Sequence, residues 1–530
     1  MRRAFLFGAA AILTIAGGSG LVTQHAITAS PANYTSGPRA ASQGPSVLLV
    51  CNGSTARCPA LPRSAGPYYR TVQGAVDAAR SGNWILIYPG VYHEKSRQWP
   101  TAGIWIQKPN LHIRGLDRSR VIIDGSKGTA AHPCPSAAAV QDFTPRDGIV
   151  VWKASGVTIQ NLTVCDYLAG SSGHGDEIWW NGGDGTGTIG LGSYSGSYLT
   201  ATSEYAPAKL NSPQLAQYGI FVSNSRGPGL ITDSYASNMA DAAYYVGACR
   251  RVCDTTLAND TGVNSALGYS GTNSGGQLVI RNSAFRLNRA GLAPNSMNND
   301  DAPSPQDGRC PGIATTSCTI IEDNLIQDNN NANAPGNGDP APVGTGVQIA
   351  GGSYDTMTGN VIENQGSWGI VTSDNPDAEQ PPPTAHCQGG IPLPGVCLFQ
   401  ARGNQVYGNV FSHDGFFGNV TNSDLATETL ASYTPRNCFY RNVDRGGPLT
   451  SAPADIESAS VDGQPCGGPG TGPDPTLAAQ LACATGAANC LLPSFLVNYP
   501  QQTRTVMLPL PQLPSMPKPC TGVPRNPFCP

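Results

Sequence analysis

The sequence predicts an all-β solenoid in which short strands wind into stacked coils, and three observations predict it. Glycine (64) and proline (45) are abundant in a 530-residue chain of which only 12% is charged, a composition of many turns and few long surface helices. One strand pattern recurs as apolar alternation interrupted by Asn or Asp, in Gly156–Val164, Gly229–Ser237, Gln277–Phe285, Cys318–Ile326, Tyr354–Ile362 and Asn404–Phe411. A second type alternates with it and opens on or beside Gly: Asp147–Trp152, Tyr218–Ser223, Ala290–Ser296, Thr345–Ala350 and Trp368–Ser373. A coil of this kind cannot bury its apolar side chains alone, so stacking coils must build the core.

At the N-terminus, Met1, Arg2 and Arg3 precede a short apolar run from Ala4 to Gly17, the form of an export signal. The expected organisation is a signal peptide over residues 1–30, a linker over 31–45, a solenoid over 46–445 and a Pro/Gly/Cys-rich tail over 446–530. No later run is apolar for long enough to cross a bilayer, so the mature chain is expected outside the cytoplasm, secreted or at the cell surface, without a membrane span and as a monomer.

Within the solenoid, Val72, Ala75, Val76 and Ala79 fall at i, i+3, i+4 and i+7, one apolar stripe of a short helix. Trp84 to Tyr88 is a continuous apolar run too short for a helix, which reads as a strand buried on both faces. Pro89-Gly90 turns the chain, and further strands are expected at Ile104–Gln107, Leu111–Arg114 and Val121–Asp124. Asn161, Asn282, Asn324, Asn360 and Asn409 recur at the same place in the repeat. They are read as structural, because Asn tolerates the left-handed backbone of a sharp bend and can stack amide on amide. One short helical stretch is possible near Leu477–Ala484.

Sixteen cysteines in an exported chain are most simply disulfides. Sequence proximity suggests Cys51–Cys58, Cys249–Cys253, Cys310–Cys318, Cys387–Cys397, Cys483–Cys490 and Cys520–Cys529. A net charge of −4 leaves no basic footprint for nucleic acid.

Three segments interrupt the rhythm, and insertions on a solenoid face are where ligands bind. Leu168–Gln217 holds His174, Asp176, Glu177, Trp179, Trp180, Asn181 and Asp184. Paired tryptophans offer flat faces to a sugar ring and nearby carboxylates can move a proton or ligate a cation, although the pair can equally plug the coil flank. Ala293–Gly308 concentrates oxygens on Asn295, Asn298, Asn299, Asp300, Asp301 and Asp307, a donor set suited to Ca²⁺ but without EF-hand spacing; turn and cap roles for the aspartates are the alternative. Ala240–Asp254 places Asp241 before a strand and Arg250 and Arg251 in a small disulfide loop, where guanidinium groups can clamp carboxylates. Arg281, Arg286 and Arg289 follow in the next coil.

The helix, the run "ILIYPGVY" and the Asn-interrupted repeats resemble the right-handed parallel β-helix proteins of the pectin lyase-like group, over roughly Ser46 to Asp424. The segments "YSGTNSGG" (Tyr269–Gly276) and "NNDDAPSPQDG" (Asn298–Gly308) are similar to those of exported actinobacterial-type β-helix repeat proteins. The resemblance implies a right-handed parallel β-helix whose open end is covered by the N-terminal helix. It also implies an active or binding site on an exposed strand face, since the group includes polysaccharide lyases, glycoside hydrolases and uronate epimerases. The motifs of those enzymes are not reproduced: "GHG" (Gly173–Gly175) precedes the single Asp-Asp pair, and no D-P-H-D element occurs. No catalytic residue is therefore carried over. From the residues themselves, Asp241, Asp300 and Asp301 are the expected catalytic carboxylates. Trp179, Trp180, Asn181, Asp184, Arg250, Arg251 and Asn295 are the expected contacts to a polysaccharide or cell-wall glycan. No cofactor is required in this reading, though Ca²⁺ is a possible ligand of an unassigned metal site. The alternative is a non-catalytic glycan-binding or structural solenoid.

Overall fold

The computed structural model describes residues 46–61, 67–96, 101–170, 174–209, 213–249, 251–298, 319–336, 342–378, 387–430, 436–457, 472–484 and 498–530. The expected signal peptide and linker, and the Cys310–Cys318 pair, lie outside them, as does Cys490.

The chain winds into a parallel β-helix. Two long parallel sheets, one of 21 strands and one of 11, share the coils, and a small three-stranded antiparallel sheet (375–399) projects from a late coil. Each strand pairs with its counterpart one coil on: Ile149 lies beside Ile178, Ile178 beside Ile220 and Ile220 beside Tyr244. These inward side chains join Ile104, Tyr269, Leu292, Val347, Ile370 and Leu425 in one continuous buried core.

The Gly at the opening of seven strands of the 11-stranded sheet stands where successive coils come closest. A Cβ at Gly219 would lie 2.6 Å from the carbonyl of Ala243, and one at Gly268 2.7 Å from that of Gly291. A Cβ has no room there, which is why this residue recurs at that position.

The N-terminal helix, Val72–Ala78, packs Val72, Ala75 and Val76 onto the first coils. Thr71 caps it through Gly74 N–H (3.1 Å), and the Glu94 carboxylate accepts the Val72 and Gln73 N–H groups. These are donors that a helix start otherwise leaves unpaired.

Stacked asparagines hold the bends; Asn161 (φ 58°) adopts the left-handed backbone the sequence reading gives it, while three others differ from that reading. Asn324, Asn360 and Asn409 do not themselves adopt positive φ. The residue before each does, at Asp323 (φ 54°), Gly359 (66°) and Gly408 (65°), and Asn282 (50°) does so before Ser283. The bend residue and the stacking residue are thus neighbours. Asn360 Oδ1 accepts from the Asn324 backbone N–H (3.1 Å) and from its Nδ2 (3.0 Å), while Asn360 Nδ2 donates to Ile321 O and Asn409 Oδ1 (both 2.9 Å). Asn360→Ala leaves both Asn324 donors without their acceptor and withdraws a donor from Ile321 O and Asn409 Oδ1, and is expected to cost about 2–4 kcal/mol by denaturant unfolding; a loss under about 0.5 kcal/mol would show the ladder to be dispensable.

In parallel ladders the same place is taken by acids. Asp355 accepts the Thr319 N–H (2.6 Å) and Asp414 the Gln365 N–H (2.7 Å). Burial raises Asp355 to about 7 and Asp414 to about 8, as it raises Asp166 to about 8. Between about pH 4 and pH 8 the folded chain therefore holds protons that the unfolded chain releases, and stability falls as pH rises through that window. The melting temperature is expected to be higher at pH 5 than at pH 8, and the reverse order in thermal melts would refute this assignment.

After the last coil, the helix Pro475–Ala484 lays Leu477 and Leu481 on the outer face of the 11-stranded sheet, against Trp368, Val371 and Ala426. Residues 498–530 then run back along the whole solenoid. Tyr499 bonds Val343, Val506 bonds Asn333, Leu508 bonds Asn238, Met516 bonds Asn161 and Thr521 bonds Arg114. Phe528 ends stacked on Tyr68 beside the first coil. Four of the expected disulfides form, Cys51–Cys58, Cys249–Cys253, Cys387–Cys397 and Cys520–Cys529. Cys134–Cys165, distant in sequence, is a fifth.

Candidate functional site

Three outward rows run across the early strands of the 11-stranded sheet: two because alternate side chains leave the core, and one at the strand starts, where the following Gly also faces the core and alternation is broken. Register sets what they contain. The first row carries Asp147, Asp176 and Tyr218 in consecutive coils, each two residues before an inward Ile. The second carries Trp105, Val150, Trp179, Phe221 and Tyr245, and the third Trp152, Asn181 and Ser223.

Asp147 is fully buried. Its Oδ1 accepts the N–H groups of Gly175 (3.0 Å) and Asp176 (3.2 Å), and its Oδ2 meets His174 Nδ1 at 3.1 Å. That contact lifts the His174 imidazole above its ordinary range against the opposing effect of burial. Asp147 so fixes the turn that presents Asp176. Asp176 is 5% exposed; burial first, then the charges of Asp147 and Asp241, push its carboxyl well above the usual carboxylate range, which favours the protonated form. Asp241, half-buried one residue before the strand Ala242–Gly247, accepts the Tyr218 hydroxyl at 2.7 Å.

Beside these carboxyl groups lies an aromatic wall. Trp179 and Phe221 stack with centroids 5.0 Å apart and planes 4° from parallel; Tyr218 stacks on Phe221 at 4.5 Å and Tyr245 meets it edge-on at 4.7 Å. Trp105 and Trp152 extend the wall by one coil. Trp179 is half-buried, with its indole N–H on Ser223 Oγ (3.0 Å). A buried carboxyl group raised above its usual range, a second carboxylate held by a phenol, and a half-exposed aromatic row are together suited to acid/base work on a ring-shaped polar substrate.

The structure brings Asp241 and Trp179 of the sequence reading to this cleft, with His174 and Asp176 of the same insertion. It corrects others. Trp180 is fully buried in the core beside Tyr194, since adjacent strand residues point to opposite faces and only one tryptophan of the pair can be outside. Asn181 is 4% exposed, its Oδ1 accepting the Gly183 N–H (2.7 Å) in a tight turn, so its capacity is spent locally. Glu177 points inward, and its carboxylate accepts the Tyr167 N–H. Asp184 pairs with Lys153 at 2.5 Å. Arg251 is exposed at the opposite end of strand Ala242–Gly247 from Asp241. Asn295 ends strand Ala290–Asn295 and donates to Ala293 O, likewise away from the carboxyl row. Arg281 and Arg286 end strands of the other sheet. Arg250, Asn299, Asp300, Asp301 and Asp307 lie outside the described residues.

Among the described residues, one set of three possible metal ligands lies within 4.8 Å, Asp124, Cys165 and Asp166. Cys165 is bonded to Cys134 and Asp124 accepts the Ser126 and Cys134 N–H groups, so this set serves the fold and does not fit a hard cation such as Ca²⁺. Sequence reasoning missed Asp147 and Tyr218. Their signal is position: each immediately precedes the Gly of a Gly-opened strand, a place that the register puts on the outer face.

The class defined by this fold is the parallel β-helix. Solved structures similar to the chain include the A-module of the Azotobacter vinelandii mannuronan C-5 epimerase AlgE4 (12% identity, 70% of this chain and 90% of that one, TM-score 0.39). The tailspike protein of E. coli bacteriophage HK620, solved with a pentasaccharide, is similar at 11% identity over 71% of this chain and 59% of its own (TM-score 0.42). A third is the catalytic domain of a GH87 α-1,3-glucanase (9% identity, 73% and 67%, TM-score 0.40). No family model and no curated protein matches the chain.

Proposed function

We propose that this protein is an exported glycoside hydrolase acting on a polysaccharide, with Asp176 as general acid and Asp241 as general base. The observation that supports the reading most is Asp176, an acid whose carboxyl is raised by burial and by two neighbouring carboxylates beside a stacked aromatic wall. In the proposed step Asp176 gives its proton to the glycosidic oxygen as the C1–O bond breaks. Asp241, oriented by the Tyr218 hydroxyl, takes a proton from the water whose oxygen bonds C1. One water is consumed, and solvent returns the proton from Asp241 to Asp176. The half-exposed Trp179 indole offers the sugar an apolar surface, backed by Phe221, on which it is stacked; Asp147 acts as a positioning residue. The chemistry as proposed needs no metal. The five described disulfides support an oxidising compartment, secreted or at the cell surface, and no helix among the described residues is long and apolar enough to cross a membrane. The working unit is proposed to be the monomer.

The test is incubation of the oxidised chain with a polysaccharide panel, with calcium or chelator, reading new reducing ends and unsaturated uronide together. New reducing ends without unsaturated product, unchanged by chelator, are expected. Saturable glycan binding with no product from any polymer would instead establish the non-catalytic solenoid.

A further inference from the structure

We infer that the glycan taken by this cleft is uncharged and that polyuronates are excluded; the inference rests on the hydrolase reading above and names its substrate class. Acids crowd this face, and the basic group beside them, His174, is tied to Asp147 at 3.1 Å. The seven that form this face, Ala102–Ile106, Asp147–Trp152, Ile178–Asn181, Tyr218–Ser223, Ala242–Gly247, Leu267–Thr272 and Ala290–Asn295, contain no lysine and no arginine. Strands of the other sheet do carry them, at Arg114, Arg281 and Arg286.

Arg146 and Lys153, which flank the acid-bearing strand Asp147–Trp152, are engaged elsewhere. Arg146 binds Asp142 and Gly125 O, and Lys153 binds Asp184 above the Trp152 ring. A hexuronate lying across the coils between Asp176 and Asp241 would set its carboxylate near one or other of these acids, with Asp147 in the adjoining coil. Asp176 already reports the strength of repulsion there, because the charges of Asp147 and Asp241 help to hold it protonated. A further anion in a half-buried cleft meets the same field, poorly screened by solvent. Elimination or epimerisation at a uronate further requires the carboxylate to be neutralised as the adjacent carbon loses its proton; these strands supply no lysine or arginine for it, and the nearby His174 is held by Asp147. The apolar C–H groups of a neutral pyranose, in contrast, can pack on the half-exposed indole of Trp179 without any charge requirement.

The experiment compares uncharged polymers (glucans, mannans, galactans, xylan) with polygalacturonate and alginate. Initial rates are measured on the native chain, and binding is measured by affinity electrophoresis at low and high salt. Rates on at least one uncharged polymer should exceed those on either polyuronate by about a hundredfold or more, and binding should be insensitive to salt. Comparable turnover or tighter binding of a polyuronate overturns the inference and leaves a polysaccharide-acting enzyme in place. Salt-insensitive binding of an uncharged glycan with no product from any polymer overturns the hydrolase reading and keeps the ligand class. No product and no binding across the panel overturns both.

Discussion

Asp176→Asn is expected to lower glycan hydrolysis about a hundred- to ten-thousandfold, the usual span for loss of a general acid, while leaving the protein at least as thermally stable at pH 8. The two effects have one cause. A carboxyl group that is buried next to Asp147 and Asp241 is held above the carboxylate range, so folding above its unfolded pKa must either bind a proton or bury a charge. An amide of the same shape removes that requirement and also removes the proton that the leaving oxygen needs. The wild-type rate should fall as pH rises through the raised pKa of Asp176, and the variant should lack that alkaline limb. Asp147→Asn keeps an oxygen for the Gly175 and Asp176 N–H groups but loses the charge facing His174. A smaller loss, about tenfold, with a shifted pH profile is expected of a group that acts by positioning. Asp176→Asn retaining more than half of the wild-type rate would remove Asp176 from the chemistry.

Much of the fold can be read in the sequence because its determinants are local. The 3.6-residue stripe of Val72, Ala75, Val76 and Ala79 and the strand alternation of Gly156–Val164 each lie within a few residues, and four disulfides span short loops. Cys134–Cys165 is illegible for the opposite reason, since its cysteines meet only once two coils are stacked. The site is harder to read because coils differ in length. Asp147, Asp176 and Asp241 become neighbours only through the register of three successive parallel pairs, and the insertions between them carry no periodic signal. Trp180 shows a rule applied at the wrong scale: the tryptophan pair reads as one surface, yet strand alternation assigns it one inner and one outer member. The asparagine repeats are legible as structural, but their division into a left-handed bend residue and a stacking residue depends on backbone angles.

Removal of residues 498–530 is expected to lower the first thermal transition by about 5–10 °C and to open the early coils to proteolysis. The segment behaves as a strap. Asn238 both receives the Leu508 N–H (2.9 Å) and donates to Leu508 O (2.8 Å), so a side chain stands in for a neighbouring strand. Asn264 donates to Val506 O, Glu204 accepts the Leu510 N–H, Asn161 accepts from Met516 N–H, and Arg114 donates to the carbonyls of Pro519 and Thr521. These contacts fall along surface bends where water can replace them, so each contributes modestly, about 0.5–1.5 kcal/mol. Apolar burial at the far end contributes more. Phe528, Val523 and Cys529 cover Leu49, Trp84 and Leu86, and losing this cover at about 1.5–3 kcal/mol for each large side chain exposes the flank of the first coils. Solenoid stability is the sum of what each coil and each coil–coil interface contributes, so unfolding should begin at that flank and spread toward the C-terminal coils. Hydrogen exchange locates the effect: protection should fall first in Val47–Val50 and Trp84–Ile87, which pair with each other at the start of the stack. Phe528→Ala alone should reproduce part of the shift, because it withdraws the ring from Tyr68 and Tyr88 while leaving the Asn238 and Asn161 contacts intact. A truncated chain that melts within about 1 °C of the full one, with unchanged exchange in these two strands, would show that the coils hold themselves and that the strap is passive.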